Sequence, residues 1–296
     1  MLSGMSIVCF AASYGVALIL EITRLVFRSG IRGALMMAFA GAGLVAHTLF
    51  LAHRAATTAG LPLSSTQDWY LLAAWALAAT YLYLTAYHPR TNVGLFLLPL
   101  VLGLVAVGML LTDAEPFARE SASRVWGVVH GISIIAATVA VFVGFAAGLM
   151  YVGQTWRLKR KRPTAEGMRL PSLEWLQKTN SRALVVSMVF LGVGVLSGAI
   201  LNVIHRGNQV PWHDPLVITT VLMLAWLVGA VMLSVLCRPV RHGRKVVYLT
   251  VFSFVFLVIA LAIWLFSETQ HVGGQQGAEG KAAVVWAPRP SEGGPV

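Results

Sequence analysis

The residues of this chain best suited to chemistry are its eight histidines: His47, His53, His88, His130, His205, His213, His242 and His271. An imidazole titrates near neutral pH and ligates metals through either ring nitrogen. His130 follows Trp126 by four residues at the start of a long apolar run, and His271 lies just past the end of the last such run. Two imidazoles at similar depth on two helices are what axial ligation of both faces of a haem iron needs. Each also reads as an ordinary interfacial polar residue. Residues 202–216, NVIHRGNQVPWHDPL, add His205, Trp212, His213, Asp214 and Pro215. Trp212 suits either the aromatic belt of a membrane interface or the wall of a flat aromatic cofactor. Asp214 suits either the orientation of an imidazole or the cap of a helix opening on Pro215, which needs no cofactor. His47 falls inside an apolar run, where a titratable group faces a pathway, a cofactor or a satisfied core. His53, beside Arg54, reads as interface, and His88 and His242 as headgroup-level residues.

The elements that must position these side chains are set by the solvent. Of 296 residues, 57% are apolar and 11% charged, and the mean hydropathy is +0.76. A soluble domain carries about 25% charge, so the apolar excess has no place in a water-soluble globule. This excludes a soluble enzyme, a disulfide-rich secreted scaffold and a disordered chain. Cys9 and Cys237 are the only cysteines and form no Cys-x-x-Cys, which excludes a membrane dithiol reductase. No basic run precedes the first apolar stretch, which Glu21 and Arg24 close, so the sequence argues against a cleaved signal peptide.

A helix needs about 20 apolar residues to cross roughly 30 Å of hydrocarbon. Eight runs qualify, at about 6–23, 33–52, 69–87, 94–112, 126–152, 183–204, 216–237 and 246–267. The expected fold class is therefore all-α: a polytopic membrane protein whose helical domain covers 1–272. Residues 273–296, rich in Gly and Pro and without periodicity, read as a disordered extracytoplasmic tail. Of the 22 Lys and Arg residues, sixteen fall in odd-numbered loops, eight of them between Arg157 and Arg182. Six fall in even-numbered loops and the tail. Positive charge stays inside, which places both termini outside the cytoplasm and the chain in a cell's inner (cytoplasmic) membrane. The net charge of +11 then points to anionic lipid headgroups at the cytoplasmic loops, not to nucleic acid.

Several stretches resemble the cytochrome c assembly protein family, haem-handling membrane proteins of the CcsA/ResC/CcmC type. GLPLSSTQDWYLLAAW (60–75) is similar to that family's entry to its third helix. RVWGVVHGISIIAATVAVFVGFAAGLMYV (124–152) resembles the segment in which a Trp precedes the first external haem-ligand histidine, placing Trp126 and His130 in those roles. LEWLQKTNSRALVVSMVFLGVGVLSGAILN (173–202) resembles the approach to the sixth helix, and ETQHVG (268–273) matches the second external histidine at His271. The likeness covers about residues 40–273. The family's outer loop has the form Trp-Gly-x-Tyr-Trp-x-Trp-Asp-Pro-Lys-Glu, whereas here it reads GNQVPWHDPLV (207–217). One Trp, the Asp and the Pro remain, His213 is inserted, and Leu216-Val217 replace Lys-Glu.

The resemblance implies a haem-binding and haem-delivery protein of c-type cytochrome biogenesis. Haem b would lie at the outer face with its iron between His130 and His271. Trp126, Trp212, His213, Asp214, Pro215, His47 and His205 would line or support it. The expected partners are a second membrane component of the assembly system and apocytochrome c. No nucleophile–base pair stands out, so no catalytic residue is assigned and the chain reads as a component of a haem-attachment complex rather than an enzyme alone. A thinned Trp loop leaves a haem-free structural or regulatory accessory protein of the same fold as the alternative. A small-solute transporter built around His47 is a third.

Overall fold

A computed structural model of the chain describes residues 7–25, 30–57, 65–89, 91–111, 124–160, 170–206, 214–236 and 244–266. Within them lie eight α-helices: α1 (Ile7–Thr23), α2 (Gly30–Thr57), α3 (Thr66–Tyr87), α4 (Gly94–Leu110), α5 (Arg124–Lys159), α6 (Leu173–Arg206), α7 (Pro215–Leu236) and α8 (Arg244–Phe266). No strand occurs among the described residues. Five helices, α2, α3, α5, α6 and α7, are long and apolar enough to cross a membrane; α1, α4 and the apolar part of α8 are shorter. The tail from 273 and the loop residues Trp212 and His213 lie outside the described residues, as does His271.

The helices overrun the apolar runs that announce them. α5 has 36 residues, about 54 Å at 1.5 Å rise, against roughly 30 Å of hydrocarbon. Hydropathy marks only the part that needs lipid. Beyond it, α5 continues to Lys159, where the Arg160 guanidinium lies 4.0 Å from the centre of the Trp156 ring. α6 likewise begins ten residues before its apolar run, on the polar stretch LEWLQKTNSR.

Polar groups turn inward and apolar ones outward. Glu21, His47, Asp68, Asn180, Ser187 and Ser253 are buried, while Ile19, Val45, Leu196, Leu222, Met232 and Phe252 stand exposed in mid-helix. Such continuous apolar exposure suits hydrocarbon as solvent and suits water poorly.

The most extensive packing is α5 against α6, with α1 on α2 and α3 on α4 as the next tightest pairs. α3 and α5 are central, and α7 is peripheral, held chiefly by α6 and α8. Small residues set the antiparallel register of α5 and α6. A Cβ at Gly194 would meet Ile134 Cδ1 at 2.7 Å, and one at Gly198 would meet His130 at 3.0 Å. Further along, a Cβ at Gly144 would meet Ala183 Cβ of α6 at 3.0 Å, and one at Gly148 would lie 3.9 Å from Asn180 Oδ1. His130 and Ile134, one turn apart, thus seat in notches at Gly198 and Gly194, also one turn apart. Close backbone approach of this kind supplies van der Waals contact where lipid removes the hydrophobic drive between helices.

Candidate functional site

One end of the bundle collects the starts of α1, α3, α5 and α7 and the ends of α2, α4, α6 and α8; Phe10 of α1, for instance, packs on Phe50 of α2. The hydroxyl of Tyr70 near the start of α3 donates to Leu261 O of α8 at 2.9 Å, and Gln67 Nε2 donates to Gly108 O of α4 at 2.9 Å. The start of α3 is a capping box. Ser65 Oγ accepts from Asp68 N, and Asp68 Oδ2 accepts from Ser65 N, both at 3.2 Å. The other carboxylate oxygen, Asp68 Oδ1, lies 2.5 Å from Arg54 Nε of α2, and Arg54 also donates to Ser65 Oγ at 3.4 Å. Asp68 is 1% exposed. A buried carboxylate is tolerable only with such pairing, and this pair ties the end of α2 to the start of α3.

Trp69 follows directly. Its indole packs so closely on α5 that a Cβ at Gly131 would sit 2.0 Å from Cη2. Only glycine admits that ring. The residue before Gly131 is His130, on the adjoining face of α5, which α6 covers. His130 Nδ1 lies 2.7 Å from Gly194 O. A carbonyl oxygen only accepts, so Nδ1 carries the proton, and in the neutral ring the lone pair is then on Nε2. That is the arrangement in which a metal-ligating histidine is oriented by a carbonyl through its other nitrogen. Ser197 Oγ also donates to Gly194 O at 2.9 Å and to Val193 O at 2.8 Å. Trp126, four residues before His130 and so on the same side of α5, is 39% exposed.

The other residues named from the sequence fall as follows. Asp214 caps α7: its Oδ1 accepts from Leu216 N at 2.9 Å, its carbonyl accepts from Ile218 N at 3.1 Å, and Pro215 is the first helical residue, exposed. Asp214 itself is 3% exposed. Position 205 lies on α6, two turns beyond Gly198, but the His205 side chain is outside the described residues. His47 belongs to a different helix pair. Fully buried between α1 and α2, it stacks on Phe10 with ring centres 4.0 Å apart and planes 4° apart. Its Nδ1 lies 3.4 Å from the Tyr14 hydroxyl, and the ring also approaches the Leu71 backbone of α3. The structure therefore brings His130 and Trp126 to the side of α3 where Trp69 meets α5, and His47 to α3 from the α1–α2 side, at Leu71.

The sequence reading missed Trp69, Arg54 and Asp68. The pattern Ser65-x-x-Asp68 before an apolar run was the available signal, since it is a helix-start signature. Nothing in the sequence marked Trp69 as the neighbour of Gly131, because that contact joins residues 62 positions apart. Among the described residues no three His, Cys, Asp or Glu side chains group to hold a metal ion. No protein-family model and no curated protein matches the chain.

Proposed function

We propose that the chain is an eight-span protein of the cytoplasmic membrane, with both termini outside, that holds haem b at its outer face for c-type cytochrome biogenesis. His130 and His271 are the iron ligands in this reading. One observation carries it: the His130 ring is oriented by the Gly194 carbonyl in the tautomer that keeps the lone pair on Nε2. The fit of the remaining residues supports it. Trp69 and Trp126 supply aromatic surface at the same end, and aromatic contacts with a flat ring add about 0.5–1.5 kcal/mol each. His205, at the end of α6, and Trp212 and His213, between α6 and α7 in the sequence, would line the ring edge.

Bound haem supplies the iron and macrocycle that a client cytochrome receives. The protein's own residues do the rest: the Gly194 carbonyl accepts a hydrogen bond from His130, α3 places Trp69, and Asp214 caps the start of α7. Partners in this reading are a second membrane component of the assembly system, apocytochrome c, and anionic lipids at the basic loops around Arg157–Arg162. The test is an absorption spectrum of the protein purified in detergent from haem-replete cells. A Soret band and reduced α and β bands, lost in His130→Ala and in His271→Ala, are the expected result; a colourless wild-type protein refutes the proposal.

A second reading has its own observation. Asp214 is accounted for as a helix cap without any cofactor, which suits a haem-free accessory protein of the same fold. The colourless outcome selects it. Solute uptake into proteoliposomes that required His47 would select a transporter instead.

A further inference from the structure

The α6 segment Gly194–Gly198 does more than let two helices approach. Gly198 leaves room for the flat edge of the His130 ring: a Cβ there would fall 3.0 Å from both Nδ1 and Cε1 and 3.9 Å from Nε2. Carbon contacts at optimal separation lie near 3.5–4.0 Å, so any side chain at 198 displaces the ring. The displaced edge carries Nδ1, whose bond to Gly194 O is 2.7 Å long. One turn away, Ile134 fills the notch at Gly194 and fixes the rotation of α5 against α6. The ring is thereby held at its edge by a missing Cβ, at one nitrogen by a carbonyl, and along the helix by its neighbour.

We propose that Gly198 is a positioning residue that presets the His130 imidazole as an Nδ1–H ligand in the haem-free protein. The inference rests on the reading of His130 as a haem ligand only for its purpose. The preset ring is a property of the haem-free protein as well. A ligand already in its bound tautomer and rotamer loses little freedom on binding, which is why groups that orient a metal-ligating histidine affect affinity so strongly.

The experiment uses the full chain in detergent micelles with ¹⁵N-labelled histidine. The His130 Nδ1–H resonance is identified by its loss in His130→Ala. It should be present without haem, be lost or strongly shifted in Gly198→Ala, and persist in Gly192→Ala, where a Cβ would meet only Leu224 Cδ1 at 3.9 Å. If Gly198→Ala does not fold, the double variant His130→Ala/Gly198→Ala decides, because without the ring the new methyl has nothing to strike. Recovery of the fold supports the proposal, and continued misfolding overturns it. An unchanged Nδ1–H signal in Gly198→Ala, or none in the wild type, also overturns it. With haem, Gly198→Ala should lower haem retention on the order of 10-fold. A wild type that shows the Nδ1–H signal and yet holds no haem refutes the haem reading while leaving the cradle intact.

Discussion

Removing Arg54 should damage this protein more than neutralising the acid it pairs with. Asp68 is 1% exposed, and the Arg54 side chain is 30% exposed. In Arg54→Ala the carboxylate keeps its bond from Ser65 N but loses its counter-charge in a place that water does not reach. Stranding one partner of a buried pair costs about 3–5 kcal/mol. In Asp68→Asn the guanidinium turns to the solvent it already touches, while the amide oxygen can still accept from Ser65 N. That loss is about 1–2 kcal/mol, the range of one or two hydrogen bonds. The double variant Arg54→Ala/Asp68→Asn buries no charge and should be more stable than Arg54→Ala alone, a coupling of about 2 kcal/mol. Equilibrium unfolding of the four proteins in mixed micelles of a mild detergent and dodecyl sulfate, followed by tryptophan fluorescence, gives the cycle. Because Asp68 precedes Trp69 on the first turn of α3, Arg54→Ala should also change the near-ultraviolet circular dichroism. If Asp68→Asn is as destabilising as Arg54→Ala, or the two losses simply add, the buried-charge reasoning is wrong.

Three further outcomes follow from the same contacts. Gly131→Ala drives a methyl into the Trp69 ring and should cost about 1–3 kcal/mol; the same unfolding assay should show most of this loss relieved by pairing it with Trp69→Leu. Asp214→Ala removes the acceptor for Leu216 N and should cost about 1 kcal/mol, readable as a lower melting temperature in detergent. His47→Phe keeps the stack on Phe10 but strands the buried Tyr14 hydroxyl that lies 3.4 Å from His47 Nδ1, so it should cost about 1–3 kcal/mol; His47→Phe/Tyr14→Phe, which leaves no hydroxyl unpaired, should return to within about 1.5 kcal/mol of wild type. Any haem signal or solute uptake lost in that double variant would then report on the ring nitrogens and the Tyr14 hydroxyl and not on the fold.

What the sequence by itself determined is the solvent and the element type. Apolar runs of about 20 residues leave the backbone no partner but itself, so they form helices whatever their neighbours are. The Asp214-Pro215 start of α7 was legible as one of two readings of Asp214, because a cap acts within one turn. Helix ends were less so: α5 and α6 run on past the hydrocarbon because charged helix formers continue a helix as readily as leucine does. Tertiary structure alone decided which side chains meet. Gly198 is an ordinary small residue in the sequence and becomes the seat of His130 only when α5 and α6 lie antiparallel in one register. Trp69 lies beside Gly131, and Arg54 holds Asp68, because helices distant along the chain converge at one end of the bundle. Hydropathy and local propensity act within a few residues, whereas the contacts that orient an imidazole act across tens of them. The environment of His130 therefore had to be read from the folded protein.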